Sequence, residues 1–304
     1  MRNITHTAKT PLDGLTEIGK GMHSMTTIKD GTKVSNPIYT SYHSELDTLK
    51  DLYQSYNEHT VPCTLESLTT AYPVGNEHHD ALYNLYDPER KVLQNLRKEL
   101  RETGSRTTYC PYCHSNVASE LDHYIPRSVM PEYSVHYYNL IPLCHNCNND
   151  KHEKWLEKGQ RLFFNAYFDA QPDMSDVLDC SISINKDTGS PQASLTLKAP
   201  TATDTESVRL AKSTIEKLNL ITQYWQMKAD QVMEKIVSQL IYQYVVLSQK
   251  PTLFEHYTNQ MNVLLLDIRN APSVEVIQNL VRTKATNSPI LKQWALTPGN
   301  YTKI

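Results

Sequence analysis

Four of the six cysteines in this 304-residue chain fall into two pairs, Cys110-Pro-Tyr-Cys113 and Cys144-His-Asn-Cys147. Each Cys-x-x-Cys pair can present two thiolates on one tight turn, and four thiolates at about 2.3 Å complete a tetrahedral zinc shell. Such a shell has no open position, so its metal is structural. Cys63 and Cys180 lie outside the pattern and read as small buried thiols. Between the pairs runs Glu120-Leu-Asp122-His123-Tyr-Ile-Pro-Arg127-Ser128, and then Tyr138-Asn139-Leu140-Ile-Pro-Leu-Cys144. The second pair leads at once into Asn148-Asn149-Asp150-Lys151. A carboxylate beside an imidazole is unremarkable by itself, but nested between metal-spaced cysteines it reads differently. The apolar run Leu140 to Leu143 reads as a strand and 146–158 as a helix that starts inside the second knuckle. Strand, loop, strand and helix stapled by zinc would bring Asp122, His123 and Asn148 together.

The nested order over roughly residues 106–158 resembles the HNH endonucleases, whose pattern is Cys-x-x-Cys, Asp-His near a Pro, Asn-Leu, then Cys-x-x-Cys followed by Asn or His. The resemblance implies a zinc-stapled ββα-metal fold that hydrolyses DNA. It implies His123 as general base, Asp122 and Asn148 as ligands of a catalytic divalent cation, and Asn139 as the residue that orients the loop and the His. Asn148 stands where other members have His, which suits a hard cation such as Mg²⁺ or Mn²⁺. The loop after Pro126 lacks the frequent Gly-Gly of the family. The Asp-His-Tyr-Ile-Pro-Arg-Ser and Pro-Glu-Tyr-Ser-Val details further resemble HNH subunits of bacterial anti-phage systems of Septu or retron type. That implies a defence role beside an ATPase partner.

Elementary chemistry agrees with this reading. Hydrolysing a phosphodiester needs an activated water and positive charge beside the developing transition state. A neutral imidazole, with an ordinary pKa near about 6.5, can take the water's proton. Oxygen ligands from Asp122 and Asn148 would leave most of an octahedral shell for water and phosphate. Arg127 and Lys151 are candidate phosphate contacts, with Lys154, Lys158 and Arg161 following on the same expected helix. One constraint follows from strand geometry. Successive residues Asp122 and His123 face opposite sides of a regular strand, so the backbone must bend there or metal and base must flank the phosphate. Two alternatives stay open: a zinc-stabilised binding or scaffold module without catalysis, and RNA as the substrate.

The elements that must position these groups are mostly helical. The fold class expected is mainly α with a small α+β core, the ββα module being flanked by helical regions and one β-hairpin. Helices are expected over 41–57, 65–72 and 89–103, the last stopped by Gly104, while the first forty residues show no clear period. Alternation over 177–185 and 192–198 around Lys186-Asp-Thr-Gly-Ser-Pro191 predicts the hairpin. From 205 to 250 there is neither Gly nor Pro, and apolar residues recur at helical spacing. That is one helix of roughly 65 Å or two stacked ones, and its apolar stripe suits a protein partner. Pro251 ends it, and helices over 253–270 and 273–284, the latter capped by Ser273, complete the chain. The organisation expected is a helical region 1–105, a nuclease module 106–170, a hairpin and linker 171–204, and a helical domain 205–304.

Thirty Lys and Arg against 33 Asp and Glu give a net charge of −3, and 39% of residues are hydrophobic. This is globular composition, and it excludes a protein that wraps nucleic acid by bulk positive charge. No run approaches the roughly 18 apolar residues of a membrane span, and the N-terminus lacks the apolar block of a secretory signal. A cytoplasmic protein without membrane contact is expected.

Overall fold

The computed structural model describes residues 3–4, 9–61, 63–102, 109–249, 256–270 and 276–301. It divides into two units, Met1–Gln171 with Arg209–Leu218, and Pro172–Val208 with Asn219–Ile304. Helices dominate, and the strands of the described residues form four antiparallel pairs.

The first unit begins with an element absent from the sequence reading. Helix α1 (Pro11–Lys20) opens on a capping box in which Thr10 and Asp13 satisfy each other's backbone N–H. Its buried face is Pro11, Gly14, Leu15 and Ile18, a helical period hidden because one member is glycine. That glycine is required: a Cβ at Gly14 would run into the Tyr137 ring. A short hairpin follows, β1 (Met25–Thr27) with β2 (Lys33–Ser35). The single helix expected over 41–57 is two, α2 (Pro37–Ser44) and α3 (Leu46–Glu58), divided at Glu45. Leu49, Tyr53 and Tyr56 of α3 are buried at steps of four and three. No helix runs over 65–72; only a 3₁₀ turn, Leu65–Ser67, forms. The buried Glu132 carboxylate accepts instead from Thr70 Oγ1 and from Ala71 N, both at 2.9 Å, drawing this backbone away from helical bonding. Then come α4 (His79–Tyr83) and α5 (Lys91–Glu102), which buries Leu93 and Leu96; Gly104 lies outside the described residues.

Strands β3 (Glu120–His123) and β4 (Leu140–Leu143) pair antiparallel, with Asp122 opposite Ile141 and His123 opposite Leu140. Helix α6 (His145–Lys151) follows. It stops well short of Lys158, because His152 adopts a positive φ of 50° and the chain turns into a two-residue hairpin, β5 (Leu156–Glu157) and β6 (Gln160–Arg161). Gly159, at φ 76°, makes that turn. Arg161 is therefore no surface cation: it is buried, with Nη1 2.9 Å from Asp169 and Nε 3.1 Å from Glu66.

In the second unit α7 (Met174–Val177) leads into the expected hairpin, β7 (Leu178–Ile184) with β8 (Pro191–Leu197). Leu178, Cys180 and Ile182 alternate inward, as do Ala193 and Leu195. Helix α8 (Glu206–Lys217), most of which belongs to the first unit, ends where Asn219 takes a left-handed φ of 48°, a conformation asparagine tolerates. One turn of π-helix, Ile221–Trp225, then feeds α9 (Gln226–Ser248), so the Gly- and Pro-free stretch is two helices. Gln226 ties α9 to the hairpin, accepting from Leu195 N at 2.9 Å and donating to Ala193 O at 2.8 Å. Helices α10 (Tyr257–Asn270), α11 (Val276–Asn287) and α12 (Pro289–Ala295) complete it. The stop at Pro251 and the cap at Ser273 fall outside the described residues. No helix among the described residues is long and apolar enough to cross a membrane.

Candidate active site

The four paired cysteines converge. All are buried, and their sulfur atoms lie within 4.8 Å of one another. The first pair sits on a tight turn, in which Cys110 N donates to Asn116 O at 2.8 Å and His114 N to Cys110 O at 3.0 Å. The second spans the start of α6, with Cys144 as its N-cap residue. Cys113 Sγ and Cys144 Sγ are 3.8 Å apart. A tetrahedron with Zn–S bonds of about 2.3 Å has an edge of about 3.8 Å, so the spacing fits a structural zinc. Asn116 Nδ2 at 3.9 Å from Cys144 Sγ and Ser115 N at 3.5 Å from Cys113 Sγ supply N–H groups that favour thiolates.

Beside this cluster, β3 and α6 wall a pocket of about 330 Å³. Asp122, His123, Arg127 and Asn148 border it, together with Glu120, His145 and Tyr83. The pairing of β3 stays regular through His123, and Asp122 and His123 both border the pocket. His123 Nε2 is 2.8 Å from the carbonyl of Ser134. A carbonyl only accepts, so Nε2 carries the proton and Nδ1 keeps the lone pair. The edge of Tyr86 packs on the imidazole, ring centres 4.5 Å apart. Burial, with Arg127 and Lys151 adding positive charge nearby, pushes the His123 pKa down to about 3 despite the bond to Ser134.

Asp122 is buried, and burial holds its carboxyl above the usual range, with Lys151 acting against that. Lys151, expected on the open face of a longer helix, is instead fully buried: its Nζ lies 2.8 Å from Asp122 Oδ2 and donates to His123 O at 2.8 Å. It is committed to β3. Arg127 is likewise held by the protein, Nη1 donating to the carbonyls of Tyr83 and Tyr86 at 3.1 Å each while its guanidinium lies 4.1 Å over the Tyr83 ring.

Asn139 is buried and works on the loop that connects β3 to β4. Its Oδ1 accepts from Ile125 N at 2.8 Å, and its Nδ2 donates to Ile125 O at 3.0 Å and Tyr133 O at 3.2 Å. Tyr56 of α3 donates to the same Oδ1 at 3.2 Å. These bonds shape the segment whose next carbonyl, that of Ser134, meets His123; Ser134 Oγ itself donates to Leu82 O at 2.7 Å.

Residues 110–154 match the family model described as HNH endonuclease. The HNH domain implies a nuclease-type function for this module, and its strand–strand–helix order is the one expected. No curated protein and no solved structure matches the chain.

Glu120 had no role in the sequence reading. It accepts from Asn148 Nδ2 at 2.6 Å and pairs with His145 Nδ1 at 2.8 Å, and these bonds outweigh its partial burial to hold its pKa below the ordinary value. The signal was there: Glu120 and Asp122 alternate along one strand and share a face. Tyr83, Tyr86 and Ser134 left no such trace.

Proposed function

We propose that the module is a metal-dependent HNH endonuclease that hydrolyses DNA phosphodiester bonds with water as nucleophile. The observation that carries this reading is the His123 tautomer: Ser134 fixes the proton on Nε2, leaving Nδ1 as a base in a pocket it shares with Asp122 and Asn148. Oxygen donors of a carboxylate and an amide suit a hard divalent cation, Mg²⁺ or Mn²⁺. When bound, such a cation would stabilise negative charge on the scissile phosphate. His123 Nδ1 takes the proton of the attacking water as its oxygen bonds to phosphorus and the P–O3′ bond breaks, the leaving 3′-oxygen taking a proton from solvent, and the Ser134 carbonyl steadies the imidazolium through Nε2–H. A phosphodiester in the pocket brings negative charge beside the ring and raises its pKa back towards the working range. Asn139 keeps the loop, and so the Ser134 carbonyl, in place. The products implied by the family are 5′-phosphate and 3′-hydroxyl ends.

Purified protein, zinc-loaded, incubated with plasmid and with a matched RNA in Mg²⁺ or Mn²⁺, tests the reading. Cleavage of DNA that is lost with EDTA and in His123→Ala is expected. Cleavage that persists in His123→Ala removes the assignment, and cleavage of RNA alone transfers it to that substrate. The hold of Lys151 on Asp122 favours a second reading, a binding module without hydrolysis, which predicts DNA binding but no nicking under any metal. On the anti-phage resemblance, the module serves defence beside an ATPase partner; phage plating that drops with the wild-type system and recovers with His123→Ala is the expected outcome.

A further inference from the structure

We infer that Glu120 is a positioning residue, which turns the Asn148 side chain so that its oxygen, not its nitrogen, faces the cation site. The inference rests on the proposed role of Asn148 as a metal ligand. A carboxamide has two nearly isosteric ends, and only the oxygen can coordinate a cation. Left to itself in an open pocket, the group would be free to rotate between both. Glu120 removes that freedom: its Oε2 accepts from Asn148 Nδ2 at 2.6 Å, and a carboxylate, having no proton to give, rejects the inverted amide. Glu120 is itself held. Its other oxygen pairs with His145 Nδ1 at 2.8 Å, one turn earlier on the helix that carries Asn148, and its backbone is pinned by pairing to Leu143. The two helix residues at positions i and i+3 thus grip the two oxygens of one carboxylate, which aligns α6 against β3 at the pocket. Orienting partners of this kind typically change metal affinity by about 10- to 100-fold when removed.

The test is a double-mutant cycle on the full, zinc-loaded chain, with Mn²⁺ affinity read by electron paramagnetic resonance in the absence of nucleic acid. Zinc content and circular dichroism report that each variant is folded. Glu120→Ala should weaken Mn²⁺ binding by about tenfold or more, and Asn148→Ala by at least as much. The double variant should bind no worse than Asn148→Ala alone, because a positioning residue has nothing left to position. Glu120→Gln carries an N–H that can meet an inverted Asn148 oxygen, so it too should weaken Mn²⁺ binding, and this loss too should vanish when Asn148 is already Ala. Losses that add in the double variant, or a Gln variant that binds as wild type does, would overturn the inference. So would unchanged binding in Glu120→Ala. A normal affinity in Asn148→Ala is a different result: it overturns the ligand role of Asn148, and this inference with it.

Discussion

Replacing Lys151 by Met is the sharpest probe of how the pocket is held together. The side chains of Lys151 and Asp122 are 0% and 6% exposed, with Nζ 2.8 Å from Oδ2. Methionine fills a similar volume but leaves the Asp122 carboxylate buried without a counter-charge and the His123 carbonyl without its donor. Breaking a buried pair from one side costs about 3–5 kcal/mol. For a unit of this size each kcal/mol shifts the midpoint by about 2–4 °C, so calorimetry should show the first unit melting roughly 6–20 °C lower. The sign of the pH dependence is also set. Burial already raises the Asp122 pKa, and without Lys151 it rises further, so the folded variant holds a proton that the unfolded chain releases. The deficit must therefore shrink as pH falls and grow as pH rises above the unfolded carboxyl value. Adding Asp122→Asn removes the stranded charge and should recover at least half of the loss. A Lys151→Met protein within about 1 kcal/mol of wild type, at neutral pH and with zinc bound, would refute the reasoning.

Two further outcomes follow from buried groups near the same loop. Asn139→Ala should cost about 2–4 kcal/mol in urea unfolding, since it strands Ile125 N, the Ile125 and Tyr133 carbonyls and the Tyr56 hydroxyl. The near-isosteric Asn139→Asp should cost more, because an oxygen would then face two carbonyls; a smaller cost than that of the Ala variant contradicts the bonding described. His136 is fully buried against Tyr53 and Tyr56, and burial pushes its pKa down to about 3. Its unfolded pKa is about 6.5, so the unfolded chain takes up the proton first and stability falls with acid, by about 2 kcal/mol between pH 7 and pH 5 from this residue. His136→Phe should flatten the pH slope of unfolding by that amount, and an unchanged slope would show that the ring already titrates normally.

What could be read in advance was whatever residue type and spacing encode locally. The cysteine pairs, the strand Leu140–Leu143, the hairpin and the C-terminal helices announce themselves through chemistry or periodicity. The misreadings share a cause, which is that tertiary contacts overrode local pattern. A glycine hid the apolar face of α1 because its missing side chain is filled by Tyr137. Glu132 diverted 65–72 from helix by taking up the bonds of Thr70 and Ala71. Lys151 and Arg161, expected on one helix as candidates for phosphate contact, are interior cations paired with acids brought in by the fold, Asp122 for the first and Asp169 and Glu66 for the second. His123, Asp122 and Asn148, singled out in the sequence, border one pocket, whereas what holds them there was illegible. The carbonyl of Ser134 and the rings of Tyr83 and Tyr86 have no signature until the chain has folded.

The ties of the loop between β3 and β4 to the preceding helices have a practical consequence. Tyr56 reaches Asn139, Leu52 O receives Tyr133, Leu82 O receives Ser134, Thr70 reaches Glu132, and Tyr83 and Tyr86 hold Arg127. Every one of those anchors lies upstream of the first cysteine pair. The nuclease signature is thus not a cassette: excised at its motif boundaries or transplanted onto another scaffold, it would keep its cysteines and lose the frame that aims its histidine.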